Sequence, residues 1–458
     1  MPSKVARELA CSGRRDSPSG FEGGGGGTTD EPAAGAPERP PVDGERDEGG
    51  TPPELRARDD ASDARLGGGT NARRAIVVSV AESPRSVLPA ANPVPTVLGS
   101  MRPMQSVSPP ATPPIRTLLE DGARGVGGAP AMSDDLAVAL YEHMVVARIL
   151  DEQLVILQGD RRSVHPANAR GEEATIVGAA AAMRDDDWVF LGSSDFAAAL
   201  WRGMPLRAYA HHVFGKVPGS GAGRDAPGPP FWRPSRVASA SSLPGARIAH
   251  AVGVAWAARL RRADVAALVL FGDGATSGND FHAGLNFAGV QRAPVIAVCR
   301  HAVAGPAIRP SRQTATSGLA VKAVAYGLPG VRVDGGDVLA VWNAVHDARA
   351  RAAAGHGGTF IEAITAPPRD GEGREAWAER DPIARARRAL DARQVWSAER
   401  DRQLRDDVSA DVGRALAEAA EATGPAGEAL FDHVYAVLPA HLRQSRDRAA
   451  LGPAGGGS

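Results

Sequence analysis

Residues 265–302 read VAALVLFGDGATSGNDFHAGLNFAGVQRAPVIAVCRHA. The first seven are all apolar and stop at Gly272-Asp273-Gly274, which suits a strand buried on both faces and ended by a turn. A helical stretch, DFHAGLNFAGVQ, follows, and then a second wholly apolar run, APVIAVC. Two doubly buried strands joined through a helix predict a parallel sheet covered by helices on both faces. In such a sheet, ligands lie outside the carboxyl ends of the strands, and Gly272-Asp273-Gly274 falls there. Glycines let backbone amides approach a phosphate, while a carboxylate beside them suits magnesium. Alone, so short a motif describes an ordinary strand-to-helix turn with a solvated aspartate equally well.

The alternation continues outward. Ser133 caps a helix whose first turn holds Asp134 and Asp135, followed by Leu136, Leu140, Met144, Leu150, Leu154 and Leu157 at helical spacing. EEATIVGAAAAM is a helix, DWVFLGS a strand entering a turn, and DFAAALWRGMPLRAYAHHVFG a pair of helices. Residues 218–234, rich in Gly and Pro, are a loop. IAHAVGVAWAARLRR is an Ala-rich helix whose small residues permit close packing; GLPGVRVDGGDVLAVWNAVHDARARAAA gives strand then helix, and GTFIEAIT a last strand. From Ala376 to about Leu451 the chain is charged and helical.

Of 458 residues, 43% are hydrophobic, but unevenly so. Residues 1–131 contain EGGGGG, PAAGAPERPP and SPPATPP and hold neither helical nor strand period, which predicts a disordered tail; ARRAIVVSVAESP within it is a candidate short strand. The expected organisation is a tail (1–131), an α/β body (132–375) and a helical extension (376–458). A net charge of -1 without basic-aromatic runs excludes a general nucleic-acid binder. Apolar runs are too short for a membrane span and no signal core follows the N-terminus, so a cytoplasmic protein is expected. Cys11 and Cys299 lie too far apart in character to suggest a disulfide framework.

The blocks GDGATS, DFHAGLNFA and APVIAVCR, with DEQLVILQ, GEEATIVG, DWVF, IAHAVG, YGLPGVRVDGGDVLAVWNAVHDARARA, FIEAIT, DPIAR and LFDHVYAVLPAHLRQ in order, resemble the alpha subunit of the thiamine-diphosphate-dependent 2-oxo acid dehydrogenases. The resemblance runs from about Leu136 to Leu451 and is nearest the branched-chain type, with the pyruvate type beside it. It implies the thiamine-diphosphate-binding fold and a heterotetramer or dimer with a beta subunit that supplies the activating glutamate. It also implies oxidative decarboxylation of a 2-oxo acid, with acyl transfer to a lipoyl-bearing acyltransferase core. The cofactor is the electron sink, and the protein supplies position and field.

Carried over one residue at a time, Asp273 matches the first magnesium ligand, Gly274 and Ala275 the cofactor-contacting residues after it, and Arg300 a phosphate-contacting arginine. A backbone carbonyl ligand falls on Ala304. Elsewhere the chain departs. The side-chain oxygen ligand of an Asn-Asn pair is replaced by His301-Ala302, and a phosphate-gripping Tyr-Arg pair by Ser193-Ser194, with Asp195 kept. The potassium-type loop runs through Ser242 and Leu243 but ends in Ala246-Arg247 instead of Thr-Gln, so the Arg247 guanidinium takes the place of the cation. After FIEAIT a His-bearing loop is replaced by APPRDGEGREAW, and no catalytic residue is assigned.

His301 occupies the slot next to the missing ligand, where strand alternation turns its side chain away, and magnesium prefers oxygen. His250, His282 and His356 read as packing or surface residues, and His211-His212 cannot share a helix face. Without metal, unit charges about 4 Å apart repel by roughly 4 kcal/mol at an effective dielectric near 20. Weak or lost binding of thiamine diphosphate and magnesium is therefore expected, and with it an impaired alpha-type subunit. The alternatives are a noncatalytic structural or regulatory subunit and a nucleotide-binding module in the same crevice.

Overall fold

The computed structural model describes residues 132–159, 169–217, 219, 221, 228–238, 243, 245–303, 310–368, 371–432 and 434–450. The expected tail and its candidate strand lie outside these residues, as do Ser242 and Ala304.

The strands are β1 (Trp188–Phe190), β2 (Val237–Ala238), β3 (Ala267–Gly272), β4 (Val295–Ala302), β5 (Gly330–Asp334) and β6 (Thr359–Thr365). They form one sheet in the order β2-β1-β3-β4-β6-β5, with every pairing parallel. The expected α/β architecture is thus present. β2 was not legible: two residues cannot display an alternation, and this edge strand is held from the loop side by an antiparallel bridge between Trp232 and Val237.

Alternation along β3 and β4 sorts the core into two layers. Leu268, Leu270, Ile296 and Val298 face a layer built with α1 (Asp134–Gly159), α2 (Glu173–Ala181) and α8 (Val338–Ala353). Val269, Phe271, Ala297 and Cys299 face the other, built with α5 (Ala246–Leu260) and α6 (Asn279–Val290). Between α1 and α5 in the chain come α3 (Phe196–Trp201) and α4 (Leu206–Val213); α7 (Pro310–Gln313) follows β4. Small residues let α5 and α6 approach closely: a Cβ on Gly284 would stand 2.9 Å from Ile248 Cγ2. α1 begins as expected, with the Leu136 amide donating to Ser133 Oγ at 3.3 Å.

The C-terminal part forms α9 (Arg374–Ala378), α10 (Pro382–Ala392), α11 (Ala398–Glu421) and α12 (Ala440–Ala450). Ile383, Leu390, Leu404 and Val408 join the α1 side of the core. Buried Arg148 ties α1 to Glu173 at 2.6 Å and to Asp381 at 3.1 Å, while the Trp377 indole donates to Ala366 O at 3.0 Å and pins the segment after β6. A buried pair of this kind specifies an arrangement more than it adds stability. Among the described residues no helix is long and apolar enough to cross a membrane.

Candidate functional site

The sheet order reverses direction between β1 and β3, so their carboxyl ends open a crevice. Residues 192–195 form one wall and 272–277 the other; each is a short 3-10 turn directly after its strand. β4 runs along the floor, with Arg300 paired in register to Gly272.

The Gly-Asp-Gly loop is open. A Cβ placed on Gly272 or Gly274 would meet no atom within 4 Å, so the protein's own packing does not demand glycine there. The Asp273 carboxylate accepts a hydrogen bond from Gln313 Nε2 at 2.8 Å. Behind the loop, Lys322 Nζ donates to Thr276 O and lies 3.2 Å from Thr276 Oγ1. Ala275 is buried in the α5–α6 side of the core.

The floor is neutralised from within. Arg300 is ion-paired to Glu172 and, at 3.0 Å, to Asp195. Asp195 is fully buried and accepts from the Gly192 amide at 2.5 Å, and Glu172 accepts from Thr365 Oγ1 at 3.3 Å. Burial alone lowers the pKa of Arg300, but the two carboxylates more than offset it and hold the guanidinium above its ordinary value. Burial pushes Glu172 up against the opposing pull of Arg300. Both carboxylates escaped assignment from the sequence: GEE and the retained aspartate were visible, but nothing marked them as partners of Arg300.

Arg247 lies beside them, 7% exposed, and donates to Leu191 O at 3.3 Å. A Cβ on Gly192 would stand 2.8 Å from Arg247 Nη1, so the guanidinium fills the space under that wall. Among the described residues no carboxylate lies within ion-pair distance of it, and burial lowers its pKa. Its Nε and that of Arg300 are buried without a hydrogen-bond partner. Leu243, from the potassium-type loop, is 65% exposed.

Alternation on β4 sends His301 to the opposite side, where Nδ1 lies 2.7 Å from Glu362 Oε1. It therefore does not enter the crevice. Ala302 returns to the crevice side without an oxygen to offer, and among the described residues no group of three or more His, Cys, Asp or Glu side chains is placed to hold a metal. A loop open above two glycines suits a phosphate, but the donor set does not suit a hydrated divalent ion bridging to it. Among the described residues Asp273 is the carboxylate on the loop, and the buried arginine is committed to protein carboxylates.

A family profile described as "Dehydrogenase E1 component" matches residues 141–366. Over 323 residues the chain is 35% identical to the 2-oxoisovalerate dehydrogenase subunit alpha of Bacillus subtilis (strain 168), covering 67% of this chain and 98% of that protein. Over 329 residues it is 33% identical to the mitochondrial 2-oxoisovalerate dehydrogenase subunit alpha 2 of Arabidopsis thaliana, covering 68% and 69%. Over 331 residues it is 31% identical to the pyruvate dehydrogenase E1 component subunit alpha of Staphylococcus aureus (strain Mu50 / ATCC 700699), covering 69% and 86%.

Proposed function

This chain belongs to the dehydrogenase E1 component family as an alpha-type subunit, and from that premise we propose that it assembles with a beta subunit while binding thiamine diphosphate and magnesium weakly or not at all. The family is thiamine-diphosphate-dependent and its alpha chains work with beta chains. The observation that carries the proposal is the loss of anchors around the crevice, where Ala302 returns to the crevice side with no side-chain oxygen, while Arg300 is paired with Glu172 and Asp195. Ala302 and Ser193-Ser194 remove the other anchors. The residues present do not fit a magnesium-bridged diphosphate.

The subunit derives from an enzyme of the branched-chain 2-oxo acid or pyruvate type, is cytoplasmic, and has a body at 132–375 with a helical extension at 376–458. Leu260, Phe287, Val290 and Val324 are exposed on and beside α5 and α6, an apolar surface suited to a dimer or heterotetramer.

The test is co-expression of the full chain with its beta partner, followed by light scattering and a decarboxylation assay with pyruvate and branched-chain oxo acids. A stable complex with little turnover is expected. Robust turnover, or a well-folded monomer at micromolar concentration, would overturn the proposal.

A further inference from the structure

At the opposite end of the sheet, where β3 and β4 begin, lies a cavity of about 230 Å³. Arg259, Arg262, Arg292 and Arg349 line it, with Asp264 and Pro294. Arg349 is nearly buried and already committed, 3.0 Å from Asp187 and 2.8 Å from Asp264. Asp264 is also held by Arg184 at 2.6 Å, which pairs with Asp186 as well. Five guanidiniums thus stand against three carboxylates. The surplus lies on Arg259, whose Nη1 donates to Gln291 O at 2.5 Å and braces the ends of α5 and α6, and on Arg262 and Arg292, which pair with no carboxylate among the described residues.

The backbone of those last two is unusual. Arg262 and Arg292 have φ of 54° and 44°, each just past the C-terminus of its helix, α5 or α6. That position favours glycine, because a side chain there crowds its own carbonyl. Helix C-termini carry partial negative charge that an arginine offsets, which accounts for a cation in the last turn but not for one in the left-handed position on both helices. Arg236 and Gln394 adopt the same conformation after their own helices; what sets Arg262 and Arg292 apart is that both line one cavity and pair with no carboxylate among the described residues.

We propose that this cavity is a binding site for a small phosphate monoester, its phosphoryl group held by Arg262 and Arg292 and its short organic part against Pro294. Guanidinium forks match phosphate oxygens in pairs, and the volume admits a phosphoryl group with a few carbons. The proposal stands apart from the crevice and does not depend on what that site binds.

The test is calorimetric titration of the purified full-length assembly with inorganic phosphate and with glycerol phosphate, at fixed low ionic strength, against chloride as control. Saturable binding is expected in the wild type and in the charge control Arg233→Gln. The double variant Arg262→Gly, Arg292→Gly relieves the left-handed strain, so its melting temperature without phosphate should stay within a few degrees of wild type while affinity falls about tenfold or more. Absence of saturable binding in the wild type, or undiminished binding in the double variant, would overturn the proposal and leave these arginines as helix caps.

Discussion

At the carboxyl end of the sheet, Arg300 is clasped by Glu172 and Asp195, and Arg247 lies beneath the adjoining wall. At the amino end, Arg262 and Arg292 line a cavity and pair with no carboxylate among the described residues. Both ends are rich in guanidinium. The difference lies in where the counter-charge comes from: for Arg300 it is supplied within the fold, whereas for Arg262 and Arg292 it is left for a ligand. A site's location in a family fold therefore says little about its present capacity to bind anions, which depends on how many of its cations the protein has already neutralised.

The sharpest way to break this contrast is Asp195→Ala. Removing one partner from a buried pair leaves Arg300 under-compensated and the Gly192 amide without its acceptor, which should destabilise the chain by about 3–5 kcal/mol. Urea unfolding reads this directly; a loss under about 1 kcal/mol would mean that Glu172 alone satisfies the arginine. Next in size, Ala302→Asn with Ser194→Arg should restore cofactor affinity by more than the sum of the single changes, since metal and arginine neutralise the same diphosphate. Each restored charge-assisted contact is worth about 1.5–3 kcal/mol. Strict additivity in titrations of the three variants would show that the two positions do not meet one ligand.

A smaller effect lies behind β4. Burial raises the pKa of Glu362, but His301, the Ala320 and Leu319 amides and Arg332 more than offset this and hold the carboxyl below its ordinary value of 4.5. A depressed folded pKa contributes stability that is present above 4.5 and is lost as pH falls through the folded value. Each unit of depression is worth about 1.4 kcal/mol. The stability gap between wild type and Glu362→Gln should be constant above pH 4.5 and narrow below it; a gap independent of pH would remove Glu362 from the account. Smallest of all, the Arg262→Gly, Arg292→Gly pair should move stability without phosphate by less than about 1 kcal/mol, because strain relief and lost helix-end charge oppose each other.

Much of the fold was legible because doubly buried strands and small-residue helices write their burial into consecutive residues. Ala267–Gly272 and Val295–Ala302 fall where VAALVLFG and APVIAVC placed them, and α5 and α6 coincide with the Ala-rich and DFHAGLNF segments. The turn of His301 away from the crevice followed from period-two alternation. Contacts across long separations left no such trace. Glu172 and Arg300 are 128 positions apart, and Gln313 reaches Asp273 from a four-residue helix that no periodicity announces. Nothing in the sequence marked Arg262 and Arg292, since a left-handed φ has no signature when the residue is not glycine.

Calorimetric titration of the assembled protein with thiamine diphosphate in magnesium probes the carboxyl-end crevice most directly. No submicromolar binding and no strengthening on adding magnesium are expected, because the floor arginine is already paired and the second oxygen ligand is absent. Submicromolar, magnesium-dependent binding would contradict that expectation.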